Sequence, residues 1–206
     1  MSFTLTTEFY DCFDFKGKVY NVDMSFDNIL LLFEMFDDGD LYEHEKVYFA
    51  LQMLIEEYNE LDLESHEESF ELFKYLLNEF LEIDLDKKSE SGEVQVKKFD
   101  YQKDATLIYA SFFAVYRMDL FELKGMLHWR KFEALLLHLD DNSPFKKVVG
   151  YRTMKIPSEK QIGKEHRNHL VKMQQLYSID ERKPEERMNS AFDALSHTFK
   201  NTSKKK

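Results

Sequence analysis

Tight-turn residues, cysteines and long apolar runs are all scarce in this chain of 206 residues. Six glycines and three prolines are too few for the repeated turns of an all-β fold, and too few for a long disordered chain. The single cysteine, Cys12, cannot form an internal disulfide; set in an expected strand, it reads as buried filler. No apolar run approaches the roughly 18 residues of a spanning helix. The densest, Ile29-Leu30-Leu31-Leu32-Phe33, is cut by Glu34. Glu8, Asp11 and Asp14 stand where a signal peptide would carry its apolar stretch. These absences predict a cytoplasmic protein with no membrane partner. What is abundant is apolar and aromatic: 43% of residues are hydrophobic, with 19 Phe and 11 Tyr, which predicts a ring-rich core.

Charge is unevenly spread. Residues 1–86 hold 23 Asp/Glu against 4 Lys/Arg, residues 87–143 hold 9 of each, and residues 144–206 hold 7 against 15. The balance thus runs from −19 through zero to +8. Oppositely charged ends attract, within a chain or between copies, or simply serve as solvated faces. The acidic front would repel a phosphate backbone, so nucleic acid is not an expected partner.

The periodicity predicts a mainly α protein: an N-terminal β-hairpin, then a multi-helix bundle, then extended C-terminal helices. Alternating aromatics around Lys16-Gly17-Lys18 make residues 8–22 the hairpin. A first helix, capped by Ser25, turns Ile29, Leu30, Phe33 and Phe36 inward and stops at Asp37-Asp38-Gly39-Asp40. A second covers 43–61 with Val47, Leu51, Leu54, Ile55 and Tyr58 on its stripe. Ser65-His66-Glu67-Glu68 is a capping box for a third, with Phe70, Phe73, Leu77 and Phe80 inward. These elements make residues 1–86 an acidic hairpin and helical region, followed by a linker or loop over 87–98.

Residues 99–157 form a denser helical block. Asp100 caps a helix burying Ala105, Ile108, Phe112 and Val115; Asp119-Leu120-Phe121-Glu122 caps a short helix ended by Gly125. Residues 127–139 make another, with Phe132, Leu135, Leu136 and Leu139 inward and Phe112 in the same core. Pro144 opens one more turn through Val149. The basic tail, 158–206, starts with a helix capped at Ser158-Glu159-Lys160-Gln161, whose thin stripe is Ile162, His166, Leu170, Met173 and Tyr177. After Pro184 a last helix offers Met188, Phe192, Leu195 and Phe199. Such stripes cannot build a core alone and must dock on the body, a second copy or a partner.

No motif points to catalysis or a cofactor, and an enzyme is not expected. Glu165-His166-x-x-His169 has ligand-like spacing but offers one face only three groups, so His166 reads as a half-buried packing residue and no metal is expected. Counting from Asp37 or Asp38 puts no glycine at the sixth position of a calcium loop. Candidate protein-binding residues are Trp129 and Arg130, as a core anchor or an interface hot spot, with Ile162, Leu170, Met173, Tyr177, Phe192 and Leu195 on the tail.

One segment carries a resemblance. Asp100-Tyr101, Asp104-Ala105, Ile108-Tyr109-Ala110-Ser111-Phe112, Tyr116, Asp119-Leu120, Leu127-His128-Trp129, Phe132, Ala134-Leu135-Leu136 and Arg152-Thr153-Met154-Lys155-Ile156-Pro157 follow one another as in a known family. In order and spacing they resemble the "gene product fifteen" family of phages and prophages of Gram-positive bacteria. The front, through Lys16-Gly17-Lys18-x-Tyr20 and the Leu-rich helix, fits more loosely, and the basic tail lies outside. Where the family commonly has a second aromatic after Trp129, this chain has Arg130. The resemblance implies similarity to tail-assembly chaperones of the host cytoplasm. These bind the tape-measure protein, recruit tail-tube subunits, and associate with themselves or with a frameshifted paired product. It carries over no residue-level site. Other classes of reading are a minor tail or connector protein retained in the virion, and an enzyme built on Glu165, His166 and His169.

Overall fold

A computed structural model describes residues 4–6, 8–85 and 98–179. The expected 87–98 loop, except Lys98, and the helix after Pro184 lie outside the described residues. The architecture is mainly helical, with an N-terminal antiparallel hairpin, β1 (Cys12–Phe15) and β2 (Lys18–Asn21). The helices are α1 (Phe26–Asp37), α2 (Glu43–Leu54), α3 (His66–Leu81), α4 (Ala105–Tyr116), α5 (Trp129–Leu137), α6 (Pro144–Thr153), α7 (Glu159–Ile162) and α8 (Lys164–Leu176). The described residues form two compact units. The first takes residues up to 85 together with 117–138; the second takes 98–116 and 139–179. Neighbouring helices α4 and α5 therefore belong to different units, Phe112 to the second and Phe132 and Leu136 to the first.

In the first unit, Lys16 and Gly17 both take positive φ (51° and 78°), the two-residue turn whose twist suits a hairpin. The register pairs Phe13 with Tyr20 and turns both rings inward. Alternation then puts Cys12 on the outer face, exposed and not buried as its strand position suggested. Residues 21–25 continue as an extended strip that, with the first residue of α1, is bonded on two sides. Asp23 N–H donates to Leu54 O (2.8 Å) and Glu56 N–H to Asn21 O (3.1 Å), while Phe26 N–H donates to Leu127 O (2.9 Å) and Trp129 N–H to Met24 O (2.7 Å).

That strip explains why α2 stops at Leu54 and does not run to 61. Ile55 turns extended to bridge Val22, and a 3-10 turn at Tyr58–Glu60 follows. Ser25 is the N-cap residue of α1, but its side chain makes no capping bond; its N–H instead donates to Asp23 Oδ1 (2.9 Å). Leu32 is core while Leu30, Phe33 and Phe36 are half-buried. In α3, Ser65 Oγ accepts from Glu68 N–H as expected (3.1 Å). The buried face is Leu72, Phe73, Leu76, Leu77 and Phe80, with Phe70 outside it. No helix forms over 120–126. These residues turn, Gly125 adopts φ 69°, and its N–H donates to Asp27 Oδ1 (2.8 Å). The core is a run of rings: Phe33 sits edge-on to Trp129, Trp129 stacks on Phe132, and Phe132 on Phe26. Leu135, expected in the core, is half-buried.

The second unit is built around a buried ion pair. Asp104, 1% exposed just before α4, accepts from both terminal guanidinium nitrogens of Arg152 on α6, at 2.5 and 2.6 Å. This bidentate geometry satisfies both carboxylate oxygens in a dry site. Asp100 holds the turn ahead of α4 by accepting from Gln102 and Lys103 N–H groups. Of the expected inward residues, Ile108 and Phe112 are buried, together with Ser111, but Ala105 and Val115, in the first and last turns of α4, are exposed. Ser143 caps α6 and Pro144 opens it, and the helix runs on to Thr153 rather than ending at Val149. Gly163 (φ 79°) breaks the tail helix into α7 and α8. Helix α8 docks on α6 through buried Leu170, through Gln174 Nε2 donating to Arg152 O and Met154 O, and through Arg152 Nε donating to Tyr177 O.

Removing Arg152 leaves an unpaired buried carboxylate. Arg152→Ala should therefore cost about 3–5 kcal/mol in urea unfolding, whereas Asp104→Leu combined with Arg152→Met should be near neutral or stabilising. A loss under about 0.5 kcal/mol for the single variant would mean that the pair is solvated.

Candidate protein-binding groove

Helices α1, α2 and α3 pack against each other without closing the space between them. The result is a cavity of about 940 Å³. Its floor is Leu51, Phe73 and Leu77, all buried. Phe33 and Phe36 of α1 form one wall, with Val47, Tyr48 and Phe49 of α2 opposite and Phe70 of α3 at the mouth. Tyr58, brought back by the early end of α2, stands edge-on to Tyr48 at 5.7 Å, and burial raises its phenol above the ordinary value. Ile83 and Leu85 complete the lining. Its polar members are His44, Glu45, His66 and Ser69.

The mouth is open to solvent. Tyr48 is 49% exposed, Phe49 38%, Phe70 44% and Leu85 50%. A contiguous patch of this kind is uncommon on a monomer unless something covers it. Its volume matches about two turns of α-helix with their side chains. Residues 26–85 around it hold 18 Asp/Glu and only two Lys/Arg. Both lysines have partners: Lys46 is buried and donates to Phe36 O at 2.9 Å, and Lys74 pairs with Glu71 at 3.0 Å. An apolar trough in an acidic surround selects an apolar segment flanked by basic residues.

The family model described as Bacteriophage Gp15 protein matches residues 5–179. The chain belongs to that family. It is a phage protein. No curated protein and no solved structure matches it. In this Gp15-family chain, two residues that carried the resemblance, Asp104 and Arg152, are the two halves of the buried ion pair.

The residues singled out from the sequence are divided between the two units. Trp129 is 3% exposed, wedged between Phe33 and Phe132, which is the core-anchor reading. Arg130 is half-buried, with Nη2 3.6 Å from Glu82. Leu170 is buried against α6, and Ile162, Met173 and Tyr177 are half-buried in the second unit. Phe192 and Leu195 lie outside the described residues. His166 is exposed, not half-buried, as are Glu165 and His169. Among the described residues no three His, Cys, Asp or Glu groups gather as a metal site, and no helix is long and apolar enough to cross a membrane.

The groove itself was only partly legible. Phe73, Leu77 and Phe70 stood on the expected face of α3, but Tyr48 and Phe49 lay off the stripe of α2. Two adjacent rings beside an apolar stripe were the available signal, since a helix with one buried face has no use for them. An open groove predicts unequal costs for two rings of α3. Phe73→Ala should destabilise by about 3–5 kcal/mol, and Phe70→Ala by no more than about 0.5 kcal/mol. Equal, large losses in chemical denaturation would mean that the groove is closed in solution.

Proposed function

We propose that this protein is a phage tail-assembly chaperone of the host cytoplasm. It binds the tape-measure protein, helps recruit tail-tube subunits, and carries out no chemical step. The observation that supports this reading is the open aromatic groove. A tape-measure protein is a long helical client whose apolar stripes would aggregate before the tube forms around them. A trough that takes about two turns of helix engages roughly three apolar anchors. At about 1.5–3 kcal/mol each they supply about 5–9 kcal/mol before the cost of association. One site is therefore weak and reversible, and many copies along one client supply the avidity. The acidic surround keeps such a crowded coat soluble.

The test is co-expression of the full chain with a tape-measure fragment. The wild type should keep the fragment soluble and co-purify with it. Phe49→Asp with Phe70→Asp places two charges at the mouth, where both side chains already reach solvent, and should abolish co-purification while the melting transition stays in place. Capture that survives this change would remove the groove from the account. Detection of the protein in purified virions by mass spectrometry would favour a retained tail or connector component instead.

A further inference from the structure

We propose that, before client arrives, the groove is occupied by residues 184–199 of a neighbouring copy, which the client then displaces. This rests on the groove being the client site. The chain continues for 27 residues past Ile179, ample length to reach beyond its own second unit. That stretch contains four large apolar residues, Met188, Phe192, Leu195 and Phe199. At 100° per residue they fall within an arc of about 60°, a single narrow stripe about 16 Å long. That is about three turns, so about two of them fill the trough, whose mouth is rimmed by Tyr48, Phe70 and Leu85, and the stripe runs past its end.

Charge selects the same partner. Residues 184–199 themselves hold Glu185, Glu186 and Asp193 against Arg187, but Arg182 and Lys183 precede them and Lys200 and Lys204 to Lys206 follow, so the stripe is flanked by basic residues at both ends. The groove's surround is acidic: residues 26–85 hold 18 Asp/Glu, offset only by Lys46 and Lys74 within that range and by the hairpin lysines Lys16 and Lys18, which pair with Glu64, Glu68 and Glu60. Aromatic area supplies the attraction, and the lysines fix orientation and speed the encounter. The contact joins two different patches, so client-free copies form rings or open chains, not two-fold pairs. A short stripe covers the groove loosely; a longer client with repeated stripes engages several copies at once and wins by avidity. The groove is thus never bare, and client loading is coupled to release of one copy from the next.

The experiment uses the full chain with photoreactive benzoylphenylalanine in place of Phe70. Nitrogen-15-labelled and unlabelled copies are mixed, irradiated and digested. Cross-links should join position 70 to peptides within 188–199, with labelled copies linked to unlabelled ones. The double variant Phe192→Asp, Leu195→Asp should lose them, and its light-scattering mass should drop to that of one chain. It should still capture the tape-measure fragment. Cross-links confined to 86–97, formed only within one isotopic copy, or unchanged by the double variant would overturn the proposal. If Phe49→Asp with Phe70→Asp abolishes client capture while cross-links never reach 188–199, the groove stands as the client site and the tail falls as its occupant.

Discussion

The first unit depends on one strip of backbone. Residues 21–25 are extended and, with the Phe26 N–H, are hydrogen-bonded to residues 54–56 along one edge and to 127–129 along the other. Buried amides must be paired, and this strip pairs them with segments far apart in sequence. It fixes where α2 ends, where α1 begins and where α5 begins, and so sets the spacing of α1 and α2, two of the three groove helices. Glu57 adds a clasp: its carboxylate accepts from the Asn21 backbone N–H (2.9 Å) and side-chain amide (2.6 Å), which hold it below the usual carboxylate range. Because α2 ends at Leu54, the chain folds back and delivers Tyr58 to the groove wall.

The second unit uses a different device. Asp104 and Arg152 are joined bidentately in a site that excludes water, and the same guanidinium holds Tyr177 O at the end of α8. A buried pair of this kind contributes little net stability against an apolar replacement but specifies which helices meet. Here it fixes α4 to α6 and α6 to the end of α8. Arg152 and Asp104 are therefore fold residues, and the resemblance they carry speaks to architecture, not to a site.

Local rules were legible in the sequence where the physics is local. The Lys16-Gly17 turn, the Ser65 cap and the Ser143-Pro144 start all appear where the residues require them. The hidden features are set by tertiary contacts. Nothing in the 54–58 stretch announces that Ile55 will pair with Val22. Asp119 and Glu122 have the spacing of a capping box, yet the segment between them turns without a helix because Gly125 bonds Asp27 instead. On α3, counting rings at helical spacing placed Phe70 inward, but the leucines Leu72 and Leu76 shift the buried face and leave Phe70 at its edge. The groove is legible only as surplus aromatics, since its existence depends on how three helices splay. Interleaving of the two units along the chain likewise leaves no trace in composition.

An apolar helix that enters the space between α1, α2 and α3 must perturb the methyl groups that line it. Titrating methyl-labelled full-length protein with a tape-measure peptide follows each of them. Saturable shifts are expected at Val47, Leu51, Leu77, Ile83 and Leu85, while Ile108 and Leu170 stay in place. Shifts centred on Leu170 and Val171 of α8, with the groove methyls unmoved at saturation, would mean that the peptide binds elsewhere.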